Sequence, residues 1–146
     1  MSAFPIMAIG IAQLSCLVVG NDPRGGKHLS VDLPTANTAV VSSTRADGSS
    51  YDLEADATVT YGEKGALRIA SRYEKPDFTQ DPYKDQCYAF APNLVLELEE
   101  TSYANYKGTW RSSFHLDQNP FFKEPCQPPM PLALPPVEIE CVAAIH

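Results

Sequence analysis

Four cysteines are the residues of this chain whose chemistry is most constrained by spacing. They stand at positions 16, 87, 126 and 141. None forms a C-x-x-C pair, so the spacings of structural zinc sites and of thioredoxin-type redox motifs are absent. An even number of widely spaced cysteines favours two disulfide bonds and an oxidising environment. The alternative is four buried free thiols in a cytosolic protein.

The three histidines are the candidate bases and metal ligands: His28, His115 and His146. No H-x-H or H-E-x-x-H spacing occurs, so we predict neither a metal site nor a cofactor. Asp117 follows His115 by two residues, which leaves open an enzyme that uses His115 with an acidic partner. A G-x-S-x-G nucleophile elbow is absent from the sequence, however. We therefore expect a protein that is not an enzyme.

An acidic stripe is the remaining candidate for cation chemistry. Asp52, Glu54 and Asp56 share one face of a predicted strand, where successive residues are about 7 Å apart. Calcium sites usually come from loops that fold around the ion. We interpret the stripe as a solvated face that Arg68 and Arg72 partly balance.

Alternation of apolar and polar residues gives the fold class. It is clearest in Ser50–Tyr61, where the pattern predicts a strand with one face on a core. Further strand signals lie at 28–33, 38–44, 67–71, 93–102, 106–115 and 137–145. Residues 4–19 are predicted to form one strand, or two strands joined at a bulge. We predict an all-β single domain over residues 1–146, either an antiparallel β-sandwich or a small β-barrel of about eight strands. Residues 1–5 are expected to be a mature N-terminus outside the fold, and 116–136 a proline-rich loop.

Three predicted hairpins can be given a register from their turns. The turns are Asp-Gly at 47–48, a loop at 63–65 with Gly65 in the left-handed conformation, and a loop at 103–105 with Asn105 in that conformation. The predicted facing pairs are Val40 with Ala55, Val59 with Ile69, Leu98 with Trp110, Asp56 with Arg72, and Glu97 with Arg111. In each hairpin these pairs put apolar residues on one common face.

The two terminal strands each carry one inward-facing cysteine. We therefore prefer the pairing Cys16–Cys141, which leaves Cys87–Cys126 to join the two long irregular segments. Four cysteines allow three pairings, and the sequence alone does not choose among them.

Charge and hydropathy narrow the choice of partner and location. The net charge of −7 disfavours nucleic acid, which needs a basic face, and anionic membrane surfaces. Residues 4–19 are too short, and too interrupted by Gly10 and Gln13, to span a bilayer. The first basic residue is Arg24, so we expect a mature exported chain, periplasmic or extracellular, rather than a signal peptide. A lipoprotein anchor at Cys16 is not expected, because Gln13 stands where a lipobox needs an aliphatic residue.

Two long loops rich in aromatic residues and proline carry the functional prediction. We expect Phe78, Tyr83, Phe121 and Phe122 to bind a protein partner, since aromatics on stiff loops commonly anchor interfaces. Envelope inhibitors and adhesion or assembly modules fit this description. The alternative is a carrier of a small apolar ligand, with a barrel cavity among Tyr51, Tyr61, Leu98 and Trp110. The sequence leaves the oligomeric state open.

Overall fold

Eight antiparallel strands close into a barrel in the order of the chain. The computed structural model describes residues 10–19, 26–45, 50–127 and 134–145. The strands are β1 (Ile11–Val18), β2 (Gly26–Asp32), β3 (Thr38–Arg45), β4 (Ser50–Tyr61), β5 (Leu67–Ser71), β6 (Tyr88–Ser102), β7 (Asn105–Gln118) and β8 (Leu134–Ile145). Each strand pairs with the next, and β8 pairs back with β1. The all-β prediction is confirmed, and closure of the sheet makes the domain a barrel rather than a sandwich.

Alternate residues of all eight strands fill the barrel interior. Side chains of a strand point to opposite faces in turn, so the apolar member of each pair faces the core and the polar member faces water. Trp110 is the largest of the fully buried side chains. Other fully buried side chains of the described core are Leu14, Cys16, Leu29, Val31, Val41, Ala57, Ile69, Leu94, Leu96, Leu98, Ile139 and Cys141.

The seam between β1 and β8 closes the barrel. Cys16 lies directly opposite Cys141 in this seam, with 4.0 Å between their Cα atoms, and a disulfide joins them inside the core. A second disulfide joins Cys87 to Cys126. This is the pairing that the sequence analysis favours. The register of the seam also shifts between Ile11 and Gln13, which is the bulge predicted within residues 4–19.

The β4–β5 hairpin has the predicted register. Val59 lies opposite Ile69, and Gly65 has a positive φ of 76°. At the far end of the hairpin the predicted ion pair is present, with Arg72 3.9 Å from Asp56. The two-residue alternation of side chains specifies this register, because a shift by one residue would expose Val59 and its neighbours.

The predicted β3–β4 register is wrong by one residue. Val41, rather than Val40, lies opposite Ala55, and Val41 is fully buried. Between the pairs Ser42–Glu54 and Thr44–Ser50 the register shifts by two residues, with the extra residues on β4, and this irregularity displaces the pairing from the predicted one. The Asp-Gly turn at 47–48 lies outside the described residues.

The predicted β6–β7 register is wrong by two residues. Leu98 lies opposite Gly108 for two reasons. The turn has only two residues, with the positive φ of 62° at Ala104 and not at Asn105, and the register shifts by one more residue between Glu100 and Ser102. A shift of two keeps every side chain on its predicted face, so Trp110 still points into the core. The predicted ion pair of Arg111 with Glu97 forms diagonally, since Glu97 faces Thr109.

β6 and β7 are longer than the strands beside them. β5 pairs with β6 only as far as Val95, and β8 pairs with β7 only as far as Ser112. Among the described residues, the remaining parts, 88–93 and 113–118, pair only with each other and extend from the barrel as a two-stranded ribbon, called the ribbon below. Both strands thus run beyond the predicted limits, and the segment predicted as a loop over 116–136 begins and ends in strand. Residues 1–5 and 128–133 lie outside the described part of the chain.

The barrel has two different ends. The ribbon extends from the end of the barrel at which segments 72–87 and 119–127 lie. Short connections at 33–37, 62–66 and 103–104 lie at the opposite end. Within the described residues, no helix has the length and apolar character needed to cross a membrane.

Gly108 is the glycine whose replacement we expect to cost most. A Cβ atom built there would lie 1.8 Å from the carbonyl oxygen of Glu97, which is backbone and has no room to move. Gly108→Ala should therefore lower the free energy of unfolding by about 3 kcal/mol or more, as measured by chemical denaturation. Gly62→Ala is the matched control. Its Cβ would meet a side-chain methyl at 3.2 Å, and a loss as large as that of Gly108→Ala would contradict the explanation.

Tyr106 makes the stability of the barrel sensitive to alkaline pH. Burial raises the pKa of its hydroxyl well above the ordinary value of 10.0, and the charges of Glu100 and Tyr61 raise it further. A raised pKa in the folded state means that its contribution to stability is complete below pH 10 and is lost as the pH rises toward the folded-state pKa. In the Tyr106→Phe variant, the free energy of unfolding should therefore fall less steeply above pH 10 than it does in the wild type, as measured by urea denaturation at successive pH values. Tyr103→Phe, at an exposed turn position, is the matched control, and equal curves for the two variants would refute this assignment.

Candidate functional site

An uncovered apolar face on the ribbon is the most distinctive surface of the molecule. Phe90, Pro92, Phe114 and Leu116 share the strand phase of the core residues Leu94 and Trp110, but they lie beyond the barrel rim. Phe90 is 58% exposed, Phe114 45% and Leu116 44%. In the register, Phe90 lies opposite Leu116 and Pro92 opposite Phe114. The core-facing side of the sheet therefore continues into solvent as a patch of the kind that marks interaction sites.

The opposite face of the ribbon is covered by the 72–87 loop. The ring of Tyr73 stacks on His115, with 4.2 Å between ring centroids, and its hydroxyl donates a hydrogen bond to Asp117. That hydrogen bond raises the pKa of Tyr73. Ala89, on the same face, is buried. The ribbon is therefore polar and packed on one side and apolar and open on the other.

This packing is relevant to the hypothesis of an enzyme that uses His115 with an acidic partner. Asp117 accepts its hydrogen bond from Tyr73, and no described hydrogen bond joins it to His115. His115 instead stacks on the Tyr73 ring. A general base needs an orienting group and a nucleophile within reach, and neither is placed at His115 among the described residues. His146 lies outside the described part of the chain.

Within the 72–87 loop, Phe78 is an internal anchor. It is only 7% exposed, and the Tyr83 ring lies against it edge to face at a centroid distance of 6.3 Å. Tyr83 is half-buried. Of the two aromatics predicted to bind a partner from this loop, Phe78 therefore serves the packing of the loop itself.

Asn119 ties the two loops at this end of the barrel together. Its side chain is buried, and its amide group donates hydrogen bonds to the carbonyl oxygens of Lys84 at 3.2 Å and Gln86 at 2.8 Å. Its side-chain oxygen accepts a bond from the Phe121 N–H at 2.9 Å. The Cys87–Cys126 disulfide joins the same two segments. A covalent bond and a buried polar staple thus hold 72–87 and 119–127 as one unit.

The adjacent aromatics Phe121 and Phe122 separate as an extended chain requires. Phe121 is 64% exposed and Phe122 is half-buried. Phe121 is thus the predicted aromatic that is most available to a partner. Phe90 and Leu116 are missed in the sequence because the predicted strands end at 93 and 115, whereas Phe114 lies within its predicted strand but on the face expected to be covered. Their signal was present, since they continue the two-residue period of Leu94 and Trp110.

Other polar clusters lie on the outer wall of the barrel. Ser15 and His28 are hydrogen-bonded at 2.7 Å on β1 and β2, and Gln13 donates to Ser30 and Asp32. Such cross-strand pairs are ordinary on a wet sheet face. Surface grooves of about 500 and 310 Å³ both include Arg68 in their lining.

No described residues form a cluster of three or more His, Cys, Asp or Glu side chains that could hold a metal ion. Of the predicted acidic stripe, Glu54 and Asp56 are exposed, and the side chain of Asp52 lies outside the described part. Comparison of the chain with family models, with curated proteins and with solved structures finds no match.

The Asn119 staple gives a test of how the loops are held. Asn119→Ala removes three hydrogen bonds and leaves two loop carbonyls without their donor, so we expect a loss of about 2 kcal/mol in unfolding free energy. Limited proteolysis within 72–87 should accelerate as well. Asn105→Ala, which removes two exposed side-chain bonds at the opposite end, is the matched control. If both variants behave alike, Asn119 does not hold the loops.

Proposed function

We propose that this protein is an exported β-barrel domain that binds a protein partner through the apolar face of the ribbon. The supporting observation is that Phe90, Phe114 and Leu116 form an exposed patch in phase with the core. Aromatic side chains that lose their exposure on binding commonly carry most of an interface's energy. Phe121, exposed on the neighbouring connection, is a candidate for the edge of the same interface.

The stiffness of this end of the molecule favours binding. A closed barrel carries the ribbon, Tyr73 and Asp117 hold the loop behind it, and Asn119 and the Cys87–Cys126 disulfide hold the two loops together. A surface that is already ordered loses little conformational entropy on association. The conformational entropy of this surface is therefore lost on folding, and little more is lost when the partner binds.

The two disulfides favour an exported location. Disulfides persist in oxidising compartments and are rare in the cytosol. We therefore place the domain in the periplasm or outside the cell, where envelope inhibition, adhesion or assembly would be its setting.

The ligand-carrier alternative gains no specific support. Its cavity would lie among residues such as Leu98 and Trp110, which are 2% exposed and belong to the packed core. The side chain of Tyr51, also assigned to that cavity, lies outside the described part. An apolar carrier needs empty volume at this place.

Photo-crosslinking tests the proposed surface. The change is Phe90→p-benzoyl-phenylalanine, and the matched control is the same replacement at Tyr103, which is 68% exposed at the opposite end. Irradiation in an envelope or culture fraction of the native source should give a discrete protein adduct from position 90 and none from position 103. A second change, Phe114→Ser, should reduce the yield of that adduct about tenfold.

Leu17→Ser is the control for the serine variant, because Leu17 is 59% exposed on the outer wall. It should leave the adduct unchanged. The same adduct from positions 90 and 103, or full yield in Phe114→Ser, would exclude the ribbon face as the binding surface.

A further inference from the structure

On the ribbon, the outer edge of β7 carries backbone hydrogen-bonding groups that no described strand pairs with. In an antiparallel pair, the N–H and C=O of one residue point to the same side, and the side alternates along the strand. Leu94 N–H and Pro92 C=O both meet Ser71, on the β5 side of β6. Because the side alternates along each strand, the register places the backbone groups of Phe114 and Leu116 on the side of β7 that faces away from β6. This is the side on which β8 pairs with residues 105–112 of β7.

No described strand pairs with this edge. β8 reaches β7 only as far as Ser112, so the backbone groups of Phe114, Leu116 and Gln118 face outward beyond that point. Their side chains belong to the face that carries the exposed patch. An unpaired edge beside exposed apolar side chains is a template for an added strand.

The other edge of the ribbon, on β6, is blocked where it meets the barrel, at Pro92 and Leu94. Pro92 has no N–H to offer, and the hydroxyl of Ser71 binds both the Leu94 N–H, at 3.0 Å, and the Pro92 carbonyl, at 3.2 Å. Proline and side-chain caps are the usual means by which proteins block an edge. The β6 edge is therefore protected at its barrel end, whereas no described residue blocks the β7 edge at 114–118.

We propose that the partner contributes an extended polypeptide segment, which adds as a strand to β7 at residues 114–118 and places apolar side chains at alternate positions beside Phe114 and Leu116. This inference rests on the proposed function and specifies the partner's chemistry. A strand is the occupant that matches both features, because its amides fit the outward N–H and C=O groups and its two-residue period fits the patch. The edge is long enough for a segment of about five residues.

A pair of proline variants tests the backbone contribution. Phe90 and Leu116 lie opposite each other, and both are exposed on the same face, but their N–H groups point to opposite edges of the ribbon. Neither N–H belongs to the β6–β7 ladder, so Phe90→Pro and Leu116→Pro both leave that ladder intact. Phe90→Ala and Leu116→Ala report the loss of the side chain alone. Circular dichroism and thermal unfolding verify that all four variants are folded.

The probe is a linear dodecamer peptide selected from a displayed random library against the wild-type protein. We expect selected peptides with apolar residues at alternate positions. We expect Leu116→Pro to bind such a peptide about tenfold or more weakly than Leu116→Ala does, because a backbone donor is lost. Phe90→Pro should bind like Phe90→Ala. In hydrogen exchange, the amides of Phe114 and Leu116 should become protected by the peptide, and that of Phe90 should not.

The outcomes separate this inference from the proposed function. Equal affinity of Leu116→Pro and Leu116→Ala, both weaker than wild type, would overturn strand addition while keeping the apolar face as the binding surface. Wild-type affinity in all four variants would place the peptide elsewhere and overturn strand addition. A concentration-dependent dimer that Leu116→Pro alone dissociates would mean that a second copy occupies the edge, which also overturns it. The fate of the proposed function is then decided separately by the crosslinking experiment.

Discussion

Pairing between the first and last strands is the constraint on which the rest of the structure depends. β1 and β8 are far apart in sequence, yet their pairing removes the last open edge of the barrel and encloses the core. The Cys16–Cys141 disulfide lies in this seam and spans 125 positions of sequence. In the chain-entropy model, a bond that closes so long a loop destabilises the unfolded chain by about 5 kcal/mol. The pairing of β1 with β8 thus has a large entropic cost of formation, and a disulfide within it fixes it covalently.

Closure also determines where the molecule can present an edge. Once the barrel is sealed, an edge exists only where a strand outgrows its neighbours. β6 has 15 residues and β7 has 14, whereas β5 between β4 and β6 has only 5. The ribbon follows from that inequality. Its apolar face is the continuation of an ordinary core pattern into a region where the barrel no longer supplies a cover.

The sequence predicts this fold well where the side-chain period acts alone. Leu29, Val31 and Ile69 are buried as their alternation requires, and the two cysteine pairs are those preferred from the inward positions of Cys16 and Cys141 on the terminal strands. The predicted strand registers are wrong where a bulge or an unexpected turn conformation is present. The bulge near Ser43 and the positive φ of Ala104 are set by local backbone geometry, which residue type specifies only weakly. The ribbon face was missed for a different reason, since a two-residue period shows that a strand continues and not whether a neighbour covers it.

The position of Cys16–Cys141 within the seam has a mechanical consequence. Ile11 lies opposite Ile145, so the outer ends of β1 and β8 are at the same end of the barrel. A force that pulls these two ends apart would unzip the seam one hydrogen bond at a time, which is the weakest way to load a pair of strands. The unzipping would reach Ser15 and stop at the disulfide, because the covalent bond then carries the load. The chain between residues 16 and 141 would then carry no load. A barrel that is pulled at the outer ends of β1 and β8 would keep its ribbon folded for as long as this disulfide is oxidised.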